Sequence, residues 1–191
     1  MRFMNRRLLL ASKSPRRQEL LRQHGVDFTV VTAETPEISS APEPRRVPEI
    51  NALRKAEQVG KLYPAAVVIG ADTVILYRDE IIGKPRDLAE AAAILHKLAG
   101  NVHEVITAVA ICCAELRLER QFAVTTRVRF KAVSAAVIDQ YLQAVPVLDK
   151  AGAYAIQDHG ELLIQQIDGD RENVIGLPTG RLLLELNHLN L

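Results

Sequence analysis

The stretch LLLASKSPRRQELL, Leu8 to Leu21, changes its periodicity halfway. Leu8–Ala11 reads as a short buried strand. Ser14 then suits an N-cap, Pro15 suits the first helical position, and the residues after it fit a helix over Pro15–Gln23 that stops near Gly25. A strand that passes straight into a helix points to an α/β protein. It also raises an electrostatic problem. Arg16 and Arg17 fall in the first helical turn, where the dipole and the unpaired N–H groups are already positive. A phosphate held on that turn and gripped bidentately would make two arginines favourable there. The plainer alternative has both arginines solvated and offset by Glu19, and on this stretch alone it is preferred.

The alternation continues outward. Phe28–Thr32 reads as a strand and Glu49–Leu62 as a helix, and between them Ala33–Pro48 carries four prolines and several acids. A loop of that length inside a compact domain is more often functional than idle. Ala66–Ala71 reads as a buried strand, and Thr73–Tyr77 with Glu80–Ile82 as a hairpin around Arg78-Asp79. Asp87–Leu98 is the clearest helix, with acids at its start and Gly100 after its end. Val102–Ala114 and Phe122–Lys131 suit long paired strands. Ser134–Gln143 reads as a helix, Tyr154–Gln157 and Leu162–Ile167 as strands, and Thr179–Leu189 as a terminal helix.

With 191 residues, 48% of them hydrophobic and 25% charged, the chain is expected to fold as one unit over residues 1–191. No apolar run approaches the roughly 20 residues that span a bilayer. The basic stretch from Met1 leads into only Leu8–Leu10, too short for a signal core of about 7–15 residues, so a cytoplasmic protein without membrane contact is expected. Cys112 and Cys113 are the only cysteines, and on a strand neighbours point to opposite faces, which excludes a disulfide framework. The formal charge of +1 is not the footprint of a duplex-binding protein, and four Phe, four Tyr and no Trp argue against a stacking platform for single strands. Stable nucleic-acid binding is not expected, and an anion site must be local.

Four groups of residues carry candidate chemistry. Besides the arginine pair, the stretch VVIGADTVI, Val67–Ile75, places Asp72 at the apparent end of an apolar strand, where open α/β sheets bind ligands, though an Asp there also caps turns. Lys55, Lys84 and Lys150 are compact charges suited to phosphate, although most lysines are merely solvated. Glu34 and Glu37 in the long loop suit a Mg²⁺ held by one or two carboxylates together with substrate phosphates, although loop acids often serve only solubility. There is no phosphate loop, dinucleotide fingerprint, nucleophile elbow or HExxH motif, and the five histidines lack metal-ligand spacing.

Taken together, six blocks resemble the Maf family, in the order seen there. They are Ser12–Arg17, Gly70–Thr73, Gly83–Pro85, His103–Thr107, Asp149–Gln157 and Val174–Pro178. The resemblance runs over nearly the whole chain. It implies an α/β fold with a long mixed sheet, helices on both sides and two lobes around a central cleft, and a homodimer. It also implies hydrolysis of a nucleoside triphosphate to the monophosphate and diphosphate with Mg²⁺ or Mn²⁺. By position, Asp72 would accept the proton of the attacking water. Ser12, Ser14, Arg16, Arg17, Lys55 and Lys84 would hold phosphates, and Glu37, with Glu34 as its rival, would assist Asp72 at the metal. The Ala-Asp-Thr, Asp-Lys-Ala-Gly-Ala-Tyr and Ile-Gln patterns are similar to the branch acting on dTTP and UTP, with Arg16, Thr73 and Gln157 as specificity positions. The sequence departs from the family at Thr179-Gly180, where an apolar residue commonly follows Leu-Pro. An association of the family with arrested cell division leaves a nucleotide-binding regulator as the alternative, and such a protein would not need Asp72.

Overall fold

The computed structural model describes residues 6–189; residues 1–5, which begin the basic stretch weighed above, and residues 190–191 lie outside it. The expected first unit forms as read: β1 (Leu8–Leu10) leads into α1 (Pro15–Gln23), whose cap Ser14 accepts a hydrogen bond from Arg17 N. β2 (Thr29–Val30) follows, and after a 3₁₀ turn at Pro44–Arg46 comes α2 (Val47–Leu62). β3 (Val67–Tyr77) and β4 (Glu80–Ile82) form the hairpin, with Arg78 and Asp79 at positive φ in the turn. Next come α3 (Leu88–Leu98), capped by Asp87, the long strands β5 (Val102–Cys113) and β6 (Leu118–Phe130), and α4 (Ala135–Ala144). A short α5 (Gly160–Leu163), β7 (Ile164–Asp168), α6 (Arg171–Ile175) and α7 (Thr179–His188) complete the described chain.

The seven strands make one mixed sheet in the order β2-β1-β3-β5-β6-β7, with β4 on β3. β2 and β3 run parallel to β1, and every other pairing is antiparallel. Strand alternation divides the core. Val68, Ala108, Ala110 and Cys112 point to one face and pack against Ala52, Ala56 and Val59 of α2. On the other face Ile69, Ala71, Val109 and Ile111 meet α1 and α7, and further along Ile75, Tyr77, Val105 and Val128 meet α3 and α4. Helices therefore cover both sides, and separate apolar cores serve the two ends of the sheet. The cysteines point to opposite faces, as alternation requires, and both are free.

Two expected strands need correction. Leu162 and Leu163 belong to the short α5, so the last strand begins only at Ile164. Tyr154–Gln157 is not a strand: Gly152 and Ala153 turn the backbone through positive φ, and Ala155 N donates to the Tyr141 hydroxyl rather than to a strand neighbour. Arg171–Ile175 is a helix too short to show periodicity, although Asp170 caps it by accepting from Glu172 N and Asn173 N. Thr179 is buried where the resemblance implies an apolar residue, and its hydroxyl is satisfied by donating to Leu177 O at 3.2 Å.

Candidate active site

The site lies where one edge of β3 loses its neighbour. β1 pairs with β3 only as far as Leu10 opposite Ile69, extended by Ala11 N donating to Ile69 O, and β4 joins that edge only from Ile75. Between them Gly70–Val74 has no strand on that side, while β5 holds the opposite edge throughout. Asp72 is thus in the middle of a continuous strand and not at its end. The break in pairing, not a break in the strand, exposes it. A cavity of about 870 Å³ opens at this gap, and all the candidate residues line it: Ser12, Ser14, Arg16 and Arg17, then Glu34, Glu37, Lys55, Asp72 and Thr73, and finally Lys84, Lys150 and Gln157.

Neighbouring residues on a strand face opposite ways, so Asp72 and Thr73 serve the two faces of the sheet. Asp72 faces α2. Its Oδ1 accepts from Lys55 Nζ at 2.7 Å and its Oδ2 from Asn51 Nδ2 at 3.1 Å. Lys55 also pairs with Glu37 Oε1 at 2.6 Å, so the structure brings Glu37 rather than Glu34 to the lysine that holds Asp72. Burial pushes the Glu37 carboxyl up, but the hydrogen bond and charge of Lys55, with help from Lys84 and Arg17, outweigh it and leave the group below its ordinary value. Sequence reasoning missed Asn51. Its amide clasps the long loop, accepting from Ile38 N and donating to Ile38 O, and it also reaches Asp72. It lies four residues before Lys55, one helical turn away on the same face, and that spacing is the signal that could have found it.

Thr73 faces Arg17. The guanidinium is buried and donates from Nε to Gly176 O at 2.8 Å, from Nη1 to Ser12 Oγ at 3.2 Å and from Nη2 to Thr73 Oγ1 at 3.0 Å. All three acceptors are neutral. Burial lowers the Arg17 pKa, and the charges of Asp72 and Glu37 oppose that. The solvated reading of the arginine pair therefore fails for Arg17, and Glu19 pairs with Arg22 instead. Arg16 stays near the surface and reaches Asp149 Oδ2 at 3.4 Å, while Asp149 Oδ1 accepts from the buried Lys150 at 2.7 Å. Lys84 and Gln157 are exposed on the rim. Behind the cavity wall His103 Nε2 meets the Tyr154 hydroxyl at 2.8 Å, and burial pushes the histidine down to about 4.

Glu37 and Asp72 come from different elements and converge on the single ammonium of Lys55. Among the described residues no three acidic, His or Cys side chains gather into a closed metal cage. Two carboxylates at the open edge of a cavity fit Mg²⁺ or Mn²⁺ held jointly by protein and phosphate, because such ions take one or two carboxylates and fill the remaining positions from substrate and water.

A mixed sheet with an open cleft at the end of a parallel strand defines an α/β class shared with a solved structure, that of the Staphylococcus aureus Ham1 protein. The two align with a TM-score of 0.54 over 94% of this chain and 98% of that one, and at 18% identity the likeness is one of fold. A family model described as Maf-like protein matches residues 7–189, and the chain belongs to the Maf family. It is 43% identical over 183 residues to a protein of Akkermansia muciniphila named dTTP/UTP pyrophosphatase, covering 95% of this chain and 96% of that protein. Proteins of the same name from Symbiobacterium thermophilum, 45% identical over 91% of this chain and 89% of theirs, and Bacillus cytotoxicus, 40% identical over 97% and 96%, are similar in the same way.

Proposed function

We propose that the chain hydrolyses dTTP and UTP to the monophosphate and diphosphate at this cleft, with Asp72 as the group that takes the proton of the attacking water. One observation carries the reading: a buried carboxylate stands at the open edge of β3 with Lys55, Arg17, Arg16 and Lys84 around the same cavity. A triphosphate concentrates negative charge, and cations fixed before it arrives stabilise both the bound chain and the charge that builds on the leaving diphosphate. Arg17 suits this task. Three of its five N–H donors are satisfied by neutral oxygens, which hold it in place and leave its charge for an anion.

Asp72 is oriented by Asn51 and Lys55, and it receives the water's proton on a carboxylate oxygen. Ser12 and Ser14 shape the turn that carries the arginines, since Ser12 Oγ accepts from both Ser14 N and Arg17 Nη1. Glu37 and Asp72 would hold a Mg²⁺ or Mn²⁺, which when bound neutralises phosphate charge and acidifies its water. Gln157 on the rim offers both a donor and an acceptor to a pyrimidine edge, and Arg16 stands on the same rim. The Thr73 hydroxyl is engaged by Arg17, so this residue would act on specificity through the arginine's position. A homodimer in the cytosol is part of the same reading, supported by the family resemblance, and sedimentation tests the dimer. Among the described residues no helix is long and apolar enough to cross a membrane.

The test is diphosphate release from a panel of nucleoside triphosphates with Mg²⁺ or Mn²⁺, for the wild type and Asp72→Asn. Turnover of dTTP and UTP that falls by at least about 100-fold in the variant, with its fold intact, is the expected result. Nucleotide binding without turnover across the whole panel would instead make the protein a nucleotide-binding regulator.

A further inference from the structure

From Arg17 a chain of hydroxyls runs inward, through half-buried Thr73 to fully buried Thr107, and no part of the reaction uses it directly. Thr107 stands opposite Thr73 on β5, wholly buried, and the two hydroxyl oxygens lie 2.9 Å apart. Either could donate, but the surroundings decide the direction. Thr107 Oγ1 donates to Asn173 O at 3.0 Å, and a hydroxyl has one proton. In the Thr73–Thr107 contact Thr107 must therefore accept and Thr73 donate. That uses the Thr73 proton, so Thr73 Oγ1 turns a lone pair to Arg17 Nη2 and accepts from it at 3.0 Å. The order is Arg17 to Thr73 to Thr107 to the carbonyl of Asn173. Each bond polarises the next in the same sense, which strengthens the acceptor presented to the cation.

The far end of the chain is fixed. Asn173 is fully buried in α6, and its side chain donates to Val105 O and Thr126 Oγ1, both at 3.0 Å. Thr126 in turn donates to Asp170 O, the residue that caps α6. The backbone of Gly176, one residue beyond α6, accepts from Arg17 Nε, so the same helix holds the guanidinium both directly and through the hydroxyl chain. Without the Thr107 hydroxyl, the acceptor left for Thr73 is Gly176 O at 3.4 Å, and Arg17 already occupies that oxygen at 2.8 Å.

We propose that Thr107 is a positioning residue for the anion site: by accepting from Thr73 it fixes the lone pair that holds Arg17 Nη2, and so sets the angle at which the guanidinium meets phosphate. This rests on the phosphate-binding reading of Arg17 given above. The probe is inorganic triphosphate bound to the purified protein, followed by calorimetry, together with KM and kcat for dTTP and thermal unfolding on the same samples. Thr107→Val keeps the shape and removes the hydroxyl. It is expected to weaken triphosphate binding and raise KM by about fivefold, the worth of one hydrogen bond, with a smaller change in kcat. Thr107→Ser is expected to restore both to within about twofold. Thr73→Val is expected to lose as much, and the double variant Thr73→Val/Thr107→Val no more than either single one, since both break one chain. If the valine variant does not fold, Thr107→Ala takes its place. Normal triphosphate affinity in a folded but less stable Thr107→Val, no rescue by serine, or additive losses in the double variant would each overturn the proposal. Arg17→Gln separates the two claims. If it binds triphosphate normally, the phosphate reading of Arg17 falls and this inference with it; weak binding by Arg17→Gln with normal binding by Thr107→Val overturns the inference alone.

Discussion

Gly70→Ala should disable the site through the backbone, without altering any of the polar side chains that line it. Gly70 faces α2, and an added Cβ would come to 2.2 Å from Ala52 O, 2.8 Å from Ala56 N and 3.0 Å from the Ala56 Cβ. Two of these neighbours are helix backbone and cannot rotate away. To bring the 2.2 Å approach back to an ordinary 3.4 Å contact, α2 must retreat by about 1.2 Å. Asn51 and Lys55 flank Ala52 and Ala56 on that helix, so they move with it. The lysine is long enough to follow Asp72. Asn51 is not, and its 3.1 Å bond to Asp72 Oδ2 is lost, with it the orientation of the carboxylate. Overpacking of this kind costs about 1–3 kcal/mol, or about 3–9 °C in Tm for a domain of this size. A displacement of an ångström at a reacting group reduces turnover by about 10²-fold. Thermal unfolding and diphosphate release from dTTP read the two effects. Gly60→Ala is the control, because a Cβ there meets nothing within 4 Å. It should gain about 0.5–1 kcal/mol and keep its kcat. A Gly70→Ala protein with wild-type Tm and kcat/KM would refute the claim that close approach of α2 to β3 sets the geometry of Asp72.

Three further outcomes follow from the charges. His103 is held near 4 in the folded protein against about 6.5 when unfolded, so the unfolded chain binds the extra proton and stability falls as pH drops through that window, by about 3 kcal/mol in all. Urea unfolding between pH 7 and 4.5 should show that slope in the wild type and lose it in His103→Gln. Asp149 ties Arg16 and Lys150 at the rim, so Asp149→Asn should lower the KM for triphosphates, by less than about fivefold, and steepen its dependence on salt; an increase in KM would contradict this. Both thiols are buried, and Cys112 is pushed up to about 12, so a thiol reagent at pH 8 should label the protein only after unfolding.

Much of the fold could be read from the sequence because local chemistry agreed with tertiary structure. Ser14-Pro15 and Asp87 mark helix starts that the structure keeps, and the turn at Arg78-Asp79 is where the hairpin was expected. The gap in β3 pairing could not be read. A carboxylate inside an apolar run looks like the end of a strand, and only the lengths of β1 and β4 against β3 reveal an interior residue at an open edge. The Tyr154–Gln157 segment carries strand-like residues, but the turn at Gly152 and the Tyr141 hydroxyl override them. Arg17 could be singled out but not explained, since besides nearby Ser12 its partners Gly176 and Thr73 come from distant parts of the chain. Asn51 was hidden by its ordinariness: one polar residue in an amphipathic helix carries no mark of the loop it clasps.

The strands beside the cleft have a mechanical consequence. β3 and β5 stay paired from Val68 opposite Cys112 to Leu76 opposite Glu104, and β6 continues the ladder, so the cores on either side of the cavity ride on the same three strands. A protein whose halves are joined by loops can swing like a hinge. Here the joint is a keel, and swinging the halves apart would tear hydrogen bonds out of the ladder. On the proposed reading, an incoming triphosphate would meet Arg17, Lys55 and Asp72 already set relative to one another, and little of its binding energy would be diverted into closing the protein around it.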